Sequence, residues 1–164
     1  MRTLLSLLVL LASAAAAHFW VLTQIPSFVM SKAHQALESQ YVPVHQWVQS
    51  PRQTPQTQQI VRPSPDLAYA ICRFDTRDGP VAISAPIGDG YGSISIFNGQ
   101  TDNIFVGDLS PGSAFERVVV SPKGAAGDVD LSGRGVALIR RLAPTREDYD
   151  RAAALVEGAI CSPL

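Results

Sequence analysis

Arg62 to Gly107 reads RPSPDLAYAICRFDTRDGPVAISAPIGDGYGSISIFNGQTDNIFVG, and the short alternating runs in it, set apart by strong turn signals, decide the fold. Between Leu67 and Asp75, Leu67, Tyr69 and Ile71 share one face of a strand while Ala68, Ala70, Cys72 and Phe74 share the other. Both faces are apolar for most of that length, which predicts burial on both sides. The charged cluster Asp75 to Asp78 then meets Gly79-Pro80, a turn composition, before Val81, Ile83 and Ala85 resume the alternation. A hairpin of these two strands is the simplest reading. Pro86 cannot donate to a ladder, and Gly88, Gly90 and Gly92 permit positive φ, so the second strand ends in a glycine-rich connection. Tyr91 to Phe97 reads as a third strand with Ile94 and Ile96 inward and serines opposite. Asn98-Gly99 after it is the strongest short hairpin signal, and it places a fourth strand near Asn103 to Val106.

Downstream, Arg117 to Ser121 is a short strand stopped by Pro122, and the glycine-rich segment 124–135 reads as a loop. Asp128 and Asp130 within it do not match the ligand spacing of a helix-loop-helix calcium site. Gly135 to Leu142 is a further strand, alternating Val136 and Leu138 against Ala137 and Ile139 and ending in Arg140 and Arg141. A helix follows. Thr145 is its N-cap, Glu147 and Asp148 occupy the first turn where the dipole favours negative charge, and Tyr149, Ala152, Ala153, Val156, Ala159 and Ile160 form a face to pack on the sheet. The fold class is therefore mainly β, an antiparallel sandwich-like domain with a C-terminal helix.

Leu4 to Leu22 is apolar except for Ser6, Ser13 and His18, about the ~20 residues a spanning helix needs. Two readings fit. In a cleaved signal peptide, Arg2 is the charged start, Leu4 to Leu11 the apolar core and Ala15 to Ala17 the cleavage site. In an uncleaved anchor the apolar run continues through Phe19, Trp20, Val21, Leu22 and Ile25, as it does here, and a mature chain beginning at His18 would be unusually apolar. We read residues 1–26 as one N-terminal transmembrane helix. Either way the bulk is exported, which places a single-pass chain in the inner membrane with its bulk on the periplasmic side. Residues 27–65 follow as a short membrane-proximal helix, Ser27 to Ser39, and a spacer in which Pro43, Pro51, Pro55, Pro63 and Pro65 alternate with glutamines, packed on the core by Val44, Trp47 and Val48. Residues 66–164 form the extracytoplasmic β domain.

Two cysteines, Cys72 and Cys161, in an exported chain favour a disulfide. Cys72 in an apolar strand with no histidine near it in sequence is a poor nucleophile. Thirteen Lys and Arg against fourteen Asp and Glu leave a net charge of -1, with no basic excess for nucleic acid. His34 and His45 lack a third ligand at metal spacing and read as polar surface, and nothing suggests a nucleotide, haem or zinc.

Pro65-Asp66, Tyr69, Asp75, Gly79-Pro80-Val81, Pro86, Tyr91, Ser93, Thr101 and Asn103, in that order, resemble the core of the bacterial family called domain of unknown function 1254. The Cys72 to Asp75 run and Cys161 resemble its short membrane-anchored form in particular. Longer members tend to carry Asn-Pro-Asp-Thr and Arg-Tyr where this chain has Ser64-Pro65-Asp66-Leu67 and Gly90-Tyr91. The resemblance implies an extracytoplasmic β domain, no established activity, and a second β-rich domain after this one in the longer members. That domain would here come from a separate partner chain held at the same membrane.

A non-catalytic envelope module is thus one expectation. Its rival is a ligand-binding or glycan-hydrolysing site at the strand ends, where Asp66, Asp75, Asp89, Asp102 and Asp108 recur, Tyr69 and Tyr91 offer aromatic platforms, and Arg62 or Arg73 could clamp an anion. Its candidate residues are Asp66, Tyr69, Arg73, Tyr91, Asp102 and Asn103. Against it, aspartates beside Gly, Pro and Asn commonly serve their own turns. A complex subunit working through its span would rest on His18 and Trp20 alone.

Overall fold

The protein was analysed as a computed structural model, which describes residues 2–54 and 63–164. Pro55 and Arg62, with the glutamines between them, lie outside the described residues. The elements are α1 (Arg2–Ser39), β1 (Trp47–Gln49), β2 (Leu67–Asp75), β3 (Val81–Ser84), β4 (Gly92–Phe97), β5 (Asn103–Asp108), β6 (Val118–Ser121), β7 (Val129–Asp130), β8 (Arg134–Leu142), α2 (Arg146–Ala154) and β9 (Ile160–Pro163). Two sheets, ordered β1-β2-β8-β4-β5 and β7-β6-β3-β9, face each other; all pairs are antiparallel except β6 with β7. The fold is the mainly β sandwich with a C-terminal helix that the alternation predicts.

The sheets meet through one face of each strand. Ala70, Cys72 and Phe74 of β2, Ile94 and Ile96 of β4, and Ala137 and Ile139 of β8 pack with Val81 and Ile83 of β3, Val118 and Val120 of β6, and Cys161 of β9. β2 is therefore not buried on both sides. Its residues from Ala68 to Phe74 in even register are buried, while Leu67, Tyr69, Ile71 and Asp75 are half-buried on the outer face. Nor do β2 and β3 form a hairpin. β2 pairs with β1 and β8, and β3 pairs with β6 and β9, so the turn between them crosses from one sheet to the other. Thr76 anchors the crossing: fully buried, it donates its hydroxyl to the Leu131 carbonyl and its amide to that of Gly133 (3.0 Å), and Gly79 takes φ +146°.

β4 and β5 do form the hairpin signalled by Asn98-Gly99, with β5 running on to Asp108. Ser93 and Ser95 are buried rather than exposed, because β4 is an interior strand and the Arg140 guanidinium lies over Ser95 (3.3 Å). α2 begins with the expected cap: the Thr145 hydroxyl accepts from the Asp148 amide and the Asp148 carboxylate accepts from the Thr145 amide, both at 3.1 Å. The helix is shorter than its apolar spacing suggests. It ends at Ala154, a single 3-10 turn covers Leu155–Gly158, and Ile160 belongs to β9, where Cys161 pairs with Ile83. Sheet pairing has captured the last residues from the helix.

The N-terminal reading also changes. No break separates a span from a second helix; α1 is one helix of 38 residues passing through Pro26. Its most apolar window is wholly unburied, which makes it a candidate membrane anchor by length and composition, whereas Met30 and His34 farther along are buried against the domain. The helix stops at Tyr41, whose φ of 58° turns the chain left-handed. Within the expected spacer, Trp47–Gln49 is an edge strand on β2, and the Trp47 indole donates to the Ile160 carbonyl (2.9 Å) of the opposite sheet.

Cys72 of β2 and Cys161 of β9 are disulfide-bonded with Cα atoms 6.6 Å apart and a sequence separation of 89, so the bond joins the two sheets. Thiol labelling of denatured, unreduced protein is expected to modify no cysteine, and two after reduction. Replacing both by alanine should remove about 4.5 kcal/mol of stability for a loop of ~90 residues in the chain-entropy model. Gly135 offers a second test. A Cβ there would overlap the ring of fully buried Phe74, so Gly135→Ala should destabilise by about 1–3 kcal/mol in denaturant unfolding, as overpacked cores do.

Candidate functional site

The six candidate residues do not converge. Along the β2, β8 and β4 ladder, Leu67 pairs with Leu142 and Gly92 with Arg141 at one end, while Arg73 and Phe97 both pair with Val136 toward the other. Asp66, Tyr69 and Tyr91 therefore sit at one end of the sandwich; Arg73, Asp102 and Asn103 sit near the other, beside α1. Tyr69 and Arg73, four residues apart on one strand, are separated by about 13 Å.

At the α1 end the polar groups serve the structure. Asp102 accepts from the Asn98 amide nitrogen (2.8 Å), and the Asn98 side-chain oxygen in turn accepts from the backbone amides of Gln100 and Asp102. Asn103 directs its amide nitrogen at the Ile96 and Phe105 carbonyls (3.1 and 2.8 Å), closing the irregular end of the hairpin. Arg73 is buried, donates to the His34 carbonyl (3.2 Å) and lies 3.7 Å from Glu38, so it grips the last turns of α1. Asp75 binds Arg77 at 2.6 Å and lies 3.8 Å from Arg134; the Arg77 hydrogen bonds hold its carboxyl below the usual range.

His34 lies among these arginines, and here the reading of it as polar surface fails. It is 7% exposed with Nε2 unpartnered, because three helical turns beyond Leu22 the helix rests on the sheet edge. Burial, then the charges of Arg134 and Arg73, pull its pKa below the usual 6.5. Nothing local in the sequence distinguishes a docked helical turn from an exposed one.

The opposite end is a mouth between the sheets. It holds a cavity of about 260 Å³ between the 86–91 loop and α2, lined among others by Gly88, Tyr91, Arg141, Arg151 and Leu155. Tyr91, 54% exposed, stands at its rim, and its carbonyl accepts from the Leu142 amide (3.0 Å). Asp66 contributes its carbonyl to the Ala143 amide (2.7 Å), and the Tyr69 hydroxyl accepts from the Ser64 amide (2.9 Å). Asp108 accepts from the Ser110 amide (2.9 Å), and hydrogen bonding from the Ser110 hydroxyl first and that amide second lowers its pKa. Arg141 is the residue missing from the candidate set. Its signal was present: it keeps step with the inward-pointing Ala137 and Ile139. Among the described residues no group of three or more His, Cys, Asp or Glu side chains could hold a metal ion.

A family model described as "Protein of unknown function (DUF1254)" matches residues 44–163, beginning just beyond α1. The fold is similar to that of the VPA0106 protein from Vibrio parahaemolyticus, with a TM-score of 0.60 at 12% sequence identity over 85% of this chain and 35% of that chain. This chain thus spans about a third of that protein's length, and at such identity the fold alone is shared. No curated protein matches the sequence.

His34 makes stability depend on pH. Its folded pKa lies below its unfolded value near 6.5, so the unfolded chain takes up the proton first; stability is full above about pH 6.5 and falls as the pH drops below it. Melting of the full chain in detergent should show a lower Tm at pH 5.5 than at 7.5, and His34→Leu should flatten that difference.

Proposed function

We propose that this chain, which belongs to the DUF1254 family of proteins of unknown function, is a membrane-anchored extracytoplasmic module of the bacterial cell envelope that works with a separately encoded β-rich partner rather than by catalysis. The observation that carries this reading is α1. A helix whose apolar window is entirely exposed has no packing partner for it among the described residues, and its far end is held by Met30, His34 and the Arg73–Glu38 contact. The buried disulfide fits an oxidising compartment and so an exported domain on the periplasmic side of the inner membrane.

A partner is supported by the outer face of the five-stranded sheet. The registers align Val48, Ile71, Leu138, Ser95 and Val106 in one row across all five strands. Val106, on the edge strand, is 63% exposed, and Ile71 and Leu138 are half-buried. Apolar side chains in such a row are suited to pack against another β layer. Anchoring both chains in one membrane would raise their effective concentration and let a modest contact suffice.

The test is mild detergent extraction of a C-terminally tagged copy, followed by intact mass. An unprocessed N-terminus with a stoichiometric second protein is expected, and Val106→Glu should release that protein without changing the Tm of this chain. A lone protein beginning at His18 and washed from membranes by carbonate would overturn the reading.

A further inference from the structure

We propose that the mouth of the sandwich is a binding site for the oxyanion group of a small ligand, a carboxylate or a phosphate, with Arg141 as its counter-cation. Strand parity forces this arginine inward. β8 alternates so that Gly135, Ala137, Ile139 and Arg141 point between the sheets, and Arg141, 4% exposed, lines the cavity. The only hydrogen bond of its side chain among the described residues runs from Nη2 to the Pro86 carbonyl; its Nε is buried with no partner. It forms no ion pair among the described residues, unlike Arg73, Arg77, Arg134, Arg146 and Arg151. Burial lowers its pKa, but a guanidinium stays charged in protein interiors, so Arg141 is a buried positive charge that no carboxylate among the described residues pairs with, the Asp89 side chain lying on the exposed loop that lines the same cavity. A buried cation without a counter-ion is costly, and an anion from solution relieves that cost.

Two glycines leave the room that the guanidinium itself occupies. A Cβ at Gly88 would lie 2.7 Å from Nη1 and one at Gly92 3.2 Å from it, so a side chain at either place would press on that nitrogen. The cavity of about 260 Å³ is smaller than a drug-sized pocket and suits a compact molecule. Its remaining walls sort the ligand's parts. Leu155 and the Tyr91 ring present apolar surface, while Arg151 is already matched by Glu147 and Asp148 and adds little net charge. An oxyanion would accept from Arg141, in the planar fork geometry that guanidinium offers, and leave its apolar part toward Leu155.

The experiment is a thermal-shift titration of the full chain in detergent with sodium phosphate in one arm and sodium succinate in the other, at constant ionic strength set with chloride. A saturable rise in Tm at millimolar anion or below is expected in one arm or both, and the responding arm identifies the oxyanion. Arg141→Met should abolish it, while Arg77→Met, at the opposite end, should leave it intact. If Arg141→Met does not fold, Gly88→Ala takes its place and should weaken the response at least tenfold. A flat titration in both arms, or an equal response in wild type and the mouth variants, would overturn the proposal.

Discussion

Everything in the domain hangs on the approach of two sheets at one point, where Cys72 of an interior strand meets Cys161 of an edge strand. Facing sheets ordinarily lie about 10 Å apart. The shorter Cα separation here is possible because the neighbours on the inner face are small: Ala70 precedes the cysteine on its own strand, and Ala137 is its ladder partner on the next. Away from that point the larger side chains of Phe74, Ile94, Ile96 and Ile139 fill the interior. Trp47 reinforces the same junction from the edge, since it pairs with Cys72 in the ladder and reaches the Ile160 carbonyl with its indole.

What the residues reveal in advance divides along the same line. The β4–β5 hairpin, the Thr145 cap and the cysteine pair were legible because each depends on neighbours in sequence or on the arithmetic of a single pair. The partners of β2 and β3 were not. Gly79-Pro80 turns a chain equally well within a sheet or between sheets, and the choice rests on Thr76 finding carbonyls more than fifty residues away. The fate of Ile160 was hidden for a related reason: its apolar spacing suits a helix, and only pairing with β3 draws it into a strand. Of the candidate site, Asp66, Tyr69 and Tyr91 were placed at one end of the sheet, but Arg73, Asp102 and Asn103 belong to the other. Arg141 was visible through strand parity, which turns it inward while its neighbour Arg140 points outward.

The two ends of the sandwich differ in how they treat charge. Near α1, Asp75 gathers Arg77 and Arg134, and Glu38 lies beside Arg73, so cations and carboxylates are largely matched and the junction is stiff. At the mouth, Glu147 and Asp148 are engaged with Arg151 and the helix cap and Asp150 with Arg146, and Arg141 forms no ion pair among the described residues. The end with matched charges holds the structure together, and the end with an unmatched charge faces solvent.

On the proposed anchoring, the continuity of α1 would make the helix a post. A tether of coil would let the domain wander and tumble above the lipid; a helix that runs unbroken from the apolar window to Ser39, and is gripped at its top, sets both the height and the azimuth of the sandwich. From Pro26 to Ser39 the rise is about 20 Å. On the proposed reading, a second protein rooted in the same bilayer would meet a sheet face presented at a fixed level, and a tilt or rotation of the helix within the membrane would swing that face as a lever.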